Sequence, residues 1–115
     1  MFRTKSPSDP ALWEALRTEL RRARGHNLLR ARQAELPEKG EVLLQVESRN
    51  TDLAGQRLHI RVGRSMEETV FRIGDTKRAA AEAGSMAAFV EEIAAICRGY
   101  RPYIRTDDEV AAYKK

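Results

Sequence analysis

Cysteine is nearly missing from this chain: Cys97 is the only one. No internal disulfide can form, and a lone thiol argues for a reducing compartment. Histidine is almost as scarce, with His26 and His59 far apart in sequence. Two histidines and one cysteine make no recognisable zinc set. There is no Gly-rich phosphate loop and no helical His-Glu-x-x-His pattern. No apolar run approaches the ~18 residues that a membrane span requires. Met1-Phe2-Arg3-Thr4-Lys5-Ser6-Pro7 has no apolar stretch after its basic residues, so it does not read as a secretory signal. The cytoplasm is the expected address. Nucleophilic catalysis needs a nucleophile held by a base and an orienting acid, and no such set is readable. Cys97 falls on an apolar helix stripe and reads as a core thiol. Asp107, Asp108 and Glu109 read as a helix cap rather than as metal ligands. The expectation is no enzyme, no metal and no cofactor.

What the chain does have is arginine. Arg outnumbers Lys sixteen to five, and the net charge is +4. Residues 1–36 hold eight Lys/Arg against four Asp/Glu, whereas 37–74 and 75–115 are each balanced. The surplus therefore sits in the N-terminal segment. Arg makes fork-shaped contacts to phosphate that Lys does not, although GC-rich coding also favours Arg and Ala. With 115 residues there is room for one domain. Residues 1–8 read as a flexible lead and 9–115 as a single α+β domain.

Asp9-Pro10 predicts a helix start, with a carboxylate N-cap followed by Pro at the first helical position. Trp13, Leu16, Leu20 and Ala23 follow at helical spacing. Gly25-His26-Asn27 interrupts the pattern, which predicts either a kink or a stop and a second helical piece ending before Pro37. Pro37-Glu38-Lys39-Gly40 is a turn. Three strands are expected next: one alternating through Val42, Leu44 and Val46, one over 56–63, and one near 69–73. Short links between them favour an antiparallel meander. A long helix is then predicted from Asp75 or Thr76, with Met86, Phe89, Val90, Ile93, Ile96 and Cys97 on its apolar stripe. Gly84-Ser85 bends or splits it, and Arg98-Gly99 ends it. Thr106-Asp107-Asp108-Glu109 starts a last helix. The expected fold is thus α+β, a three-stranded antiparallel meander with helices packed on one face, in the order α(α)-β-β-β-α-α.

The central strand alternates without a break, Arg57-Leu58-His59-Ile60-Arg61-Val62. Successive strand side chains point to opposite faces. Leu58, Ile60 and Val62 go to the core, and Arg57, His59 and Arg61 form a basic row on the other face. Arg72 of the third strand joins them. Such a face can neutralise phosphates, although antiparallel sheets facing water carry charge anyway. It carries no aromatic for stacking on bases. On the first helix, Arg17, Arg21 and Arg24 recur at i, i+4 and i+7 and form a stripe, with Glu14 and Glu19 as partial partners.

Gly74-Asp75-Thr76-Lys77-Arg78-Ala79-Ala80-Ala81 reads as a helix start with two cations in its first turn. There they oppose the helix dipole unless an anion binds. This segment and the α-βββ-α order resemble, in part, the double-stranded RNA-binding domain. The resemblance implies phosphate contacts for Lys77 and Arg78. The sequence departs from that family at Ala81, where the family has a further Lys, and at Leu53-Ala54-Gly55-Gln56, which lacks its Gly-Pro-x-His loop. Finally, Tyr100, Tyr103, Ile104 and Tyr113 concentrate in the C-terminal tail. They are candidate partner-binding residues, or they fold back on the monomer.

The leading functional expectation is a small non-enzymatic nucleic-acid-binding protein, of DNA or RNA, using the basic sheet face and the Arg-bearing first helix. The rival is a protein-binding accessory or inhibitor, of phage or mobile-element type, docking an acidic protein surface through the sheet face or the Tyr-rich tail. A homodimer is compatible with either.

Overall fold

The computed structural model describes residues 8–47, 55–74 and 76–99. Helix α1 (Pro10–Gly25) starts at the predicted place: the Asp9 carboxylate accepts from Leu12 N–H at 3.0 Å, and Pro10 fills the first helical position. Leu16, Leu20 and Ala23 are buried, with Trp13 packed partly buried beside them. The helix stops at Gly25, and Asn27 at φ 59° turns the chain.

No second helical piece follows. Ala31–Leu36 form strand β1, paired antiparallel with β2 (Glu41–Val46). The Ala-Arg-Gln-Ala-Glu-Leu segment has high intrinsic helix propensity, but tertiary context overrides it. β2 carries aliphatic side chains on both faces, and β1 satisfies its backbone on the side away from β3. A one-turn 3₁₀ segment (Pro37–Lys39) makes the reversal, and Gly40 completes it at φ 65°. Gly40 is also a close-approach site. A Cβ there would lie 1.9 Å from Ser8 Oγ. Buried Ser8 donates to Val62 O at 2.9 Å, and Asp9 N donates to Gly63 O. The chain is therefore anchored from residue 8 onward.

Strands β3 (Arg57–Arg61) and β4 (Val70–Ile73) pair antiparallel as expected. The predicted long helix from residue 75 or 76 is replaced at its start by a fifth strand, β5 (Thr76–Ala79), paired with β4. Gly74 at φ 57° turns the chain into it. Helical structure begins only at the four-residue α2 (Ala80–Ala83), and Gly84 at φ 99° breaks it. Ser85 then caps α3 (Met86–Cys97), its hydroxyl accepting from Ala88 N–H at 3.0 Å.

The sheet is a five-stranded antiparallel meander in the order β1-β2-β3-β4-β5, not the three-stranded one expected. One face is apolar: Val42, Leu44, Leu58, Ile60 and Phe71 are fully buried. Helices α1 and α3 cover it with Leu16, Leu20, Phe89, Ile93 and Ile96, and the Phe71 and Phe89 rings pack 5.7 Å apart. Each such large side chain supplies about 1.5–3 kcal/mol on burial. Two Arg–Glu pairs join the helix layer to the outermost strands. Arg17 of α1 lies 3.1 Å from Glu35 of β1. Arg78 of β5 grips Glu92 of α3 through both Nε and Nη2. The Tyr-rich tail and the expected last helix lie outside the described residues.

Candidate nucleic-acid interface

Strand alternation sends every second residue to the face opposite the helices, and antiparallel register then lines those residues up. One cross-strand row is Ala34, Leu43, His59, Arg72 and Lys77. The row on one side of it is Arg32, Gln45 and Arg57; on the other it is Leu36, Glu41, Arg61, Val70 and Ala79. Direct cross-strand neighbours stand ~5 Å apart. Arg72 is thus flanked by His59 on β3 and by Lys77 on β5.

Arg32, Arg57, Arg61, Arg72 and Lys77 are all exposed. Among the described residues, two carboxylates on this face are already engaged. Glu41 lies 3.3 Å from His59 Nε2, and Glu47 lies 3.7 Å from Arg32 Nε. Among the described residues no carboxylate pairs with Arg57, Arg61, Arg72 or Lys77. The Arg72–Lys77 juxtaposition is a like-charge cross-strand pair, which costs stability in water. A shallow depression of about 370 Å³ lies between Arg32 and Arg57, with Ala34, Leu43 and Gln45 in its lining.

The structure brings Arg57, His59, Arg61, Arg72 and Lys77 together on this one face. Lys77 arrives there as a strand residue, not as the helix-start residue that its Ala-rich context suggests, so the phosphate clamp implied by the RNA-binding-domain resemblance has no helix start to sit on. Arg78, its neighbour, points to the helix-covered face, where Glu92 holds it and raises its pKa further. Arg17, Arg21 and Arg24 stand apart from the basic face. They line a separate groove between α1 and β1 with Gln33 and Glu35. Tyr100, Tyr103, Ile104 and Tyr113 lie outside the described residues. Sequence reasoning missed Arg32, because it sits in a segment read as helix. The available signal was the need of β2 for a second neighbour.

Cys97 is fully buried, and burial pushes its thiol up to about 11, so it stays protonated and inert near neutrality. Among the described residues no group of three or more His, Cys, Asp or Glu is placed to hold a metal ion. Nor is any described helix long and apolar enough to cross a membrane. No family model matches the chain, and neither does any curated protein or solved structure.

Proposed function

We propose that this protein binds nucleic acid through the open face of its sheet, with Arg57, Arg61, Arg72 and Lys77 contacting phosphates and His59 at their centre. The observation that carries this reading is the set of four exposed cations, two of them directly opposed, with no carboxylate partner among the described residues. A row of phosphates would remove that repulsion and release counterions. Among the described residues the face has no Phe, Tyr or Trp to stack on a base, so it reads the backbone of a duplex rather than unpaired bases. Arg32 extends the contact surface along the β1 side.

The test is a titration of labelled duplex DNA, duplex RNA and single strands at two salt concentrations. Four phosphate contacts give a log–log salt slope of about −3.6 on duplex DNA, an affinity loss of about 10²-fold between 50 and 200 mM salt. Replacing Arg57 and Arg61 by Glu abolishes binding at low salt while far-UV circular dichroism stays unchanged. If no nucleic acid binds at low salt, or if the charge reversal leaves affinity intact, the reading is wrong. In that case a protein partner that survives nuclease treatment becomes the better account of the face.

A further inference from the structure

Among the described residues, strand β1 has a free edge. Its ladder with β2 includes the bond from Glu47 N to Arg30 O. In an antiparallel pair hydrogen-bonded and non-bonded positions alternate, so with this register the bonded positions are 30, 32, 34 and 36. The N–H and C=O groups of Ala31, Gln33 and Glu35 therefore point away from the sheet. Among the described residues no strand lies beyond β1, and no hydrogen bond engages the backbone of Gln33 or Glu35 on that side. An open edge of this kind is a template for another strand.

The edge opens beside a groove of about 390 Å³ lined by Arg17, Arg21 and Arg24 from α1 and by Gln33 and Glu35 from β1. The internal contacts of the groove are few. Arg17 lies 3.3 Å from Glu14 and 3.1 Å from Glu35. Arg24 Nη2 donates to Gln33 Oε1 at 2.9 Å, and Gln33 Nε2 donates to Glu35 at 2.8 Å. Arg21 is exposed and forms no ion pair with any described residue. The three arginines thus bring two more positive charges than the one carboxylate of the groove lining offsets.

We infer that the β1 edge is a peptide-docking site, and that its occupant is an extended segment of a partner protein with acidic residues at alternate positions. The segment adds as a sixth strand, exchanging backbone hydrogen bonds with Ala31, Gln33 and Glu35. Every second side chain of the segment then faces the helix layer, where Arg21 and Arg24 take its carboxylates as charge-assisted, fork-shaped pairs. A second copy of this chain fits less well. Edge-to-edge pairing of two β1 strands would bring both arginine stripes together across the axis, with like charges facing. A nucleic acid satisfies the arginines but has no alternating donors and acceptors to offer the strand edge. The site is separate from the open sheet face, and either can fail without the other.

The experiment uses the full chain and two labelled octapeptides, one alternating Glu with Thr and Val, the other with Lys in place of each Glu. Binding is read by fluorescence anisotropy, and amide hydrogen exchange is read residue by residue with and without peptide. The acidic peptide binds at least tenfold more tightly than the basic one, and it slows exchange at Ala31, Gln33 and Glu35. Two variants separate the parts. Gln33→Pro removes an outward N–H without touching the β2 ladder, and the pair Arg21→Glu with Arg24→Glu reverses the charge. Each lowers affinity at least tenfold, with the circular dichroism spectrum retained. Equal binding of both peptides overturns the inference. So does binding that is lost on charge reversal yet indifferent to Gln33→Pro, because that pattern describes a polyanion site without strand addition. Duplex DNA binding that is unaltered in the Arg21/Arg24 variant shows that the open face remains intact.

Discussion

Removing Arg78 should destabilise the fold much more than removing the residue it grips. Glu92 sits on α3 with its side chain only 8% exposed, while the Arg78 side chain is 23% exposed. A fully buried pair broken from one side costs ~3–5 kcal/mol, because the survivor is left charged and unpaired. An exposed pair is worth ~0–1 kcal/mol. This pair lies between those limits, and its two members are unequal. In Arg78→Met the carboxylate is stranded in the interior, at a cost of about 2–4 kcal/mol. In Glu92→Leu the guanidinium can swing to Glu82, whose Oε2 is already 3.6 Å from Nη1, and the cost falls to about 1 kcal/mol. At ~4–8 °C per kcal/mol for a domain of this size, Arg78→Met lowers Tm by roughly 8–32 °C. The double variant Arg78→Met/Glu92→Leu recovers most of that loss, giving a coupling energy of ~1–3 kcal/mol. Thermal and urea unfolding followed by far-UV circular dichroism measure all four proteins. If Arg78→Met lies within about 0.5 kcal/mol of the parent, or if the double variant shows simple additivity, the carboxylate is not being held in an unfavourable place and the reasoning fails.

Three further outcomes follow from the same packing. Gly40→Ala should cost about 2–4 kcal/mol in urea unfolding, since a Cβ at φ 65° meets Ser8 Oγ at 1.9 Å; adding Ser8→Ala should not deepen the loss, and a simple sum of the two would contradict the clash. Burial pushes the Cys97 thiol up to about 11, so the unfolded chain ionises there first. The thiol's contribution is complete below about pH 9 and is lost as pH rises to about 11, a decline of about 2–3 kcal/mol that Cys97→Ala should not show. Disulfide exchange with an aromatic reagent at pH 8 should be slow in the native protein and fast in urea. Rapid native labelling would count against the burial.

Strand β3 was readable because its side chains alternate cleanly between cation and aliphatic, and β2 and β4 because every second residue is a large apolar one. Val42, Leu44, Leu58, Ile60, Phe71 and Ile73 all face the core as read, and Met86, Phe89, Val90, Ile93, Ile96 and Cys97 fill the helix stripe. The two outermost strands were not readable, for a common reason. Ala31–Leu36 and Thr76–Ala79 are built from good helix formers and have a face that is neither apolar nor strongly alternating. Edge strands bury little, so their sequences carry little pattern, and partner backbone rather than side chains decides them. That is also why the sequence places Lys77 at a helix start and not on a strand, and why Arg32, Gln33 and Glu35 do not read as strand residues. Arg57, His59, Arg61 and Arg72 were legible from alternation alone. The pairing of Arg78 with Glu92 was not, because it joins an edge strand to a helix fourteen residues away.

The meander runs through space in the order in which it is synthesised. Each strand therefore meets its neighbour by closing one small loop, and the entropy spent on each closure is modest. Among the described elements, the contact between α1 and α3 joins the stretches that lie furthest apart in sequence. A ribosome releasing this polypeptide could hand it over hairpin by hairpin, with α3 arriving later to close the lid on α1. Such an assembly route is fast and leaves few opportunities for entanglement with neighbouring nascent chains.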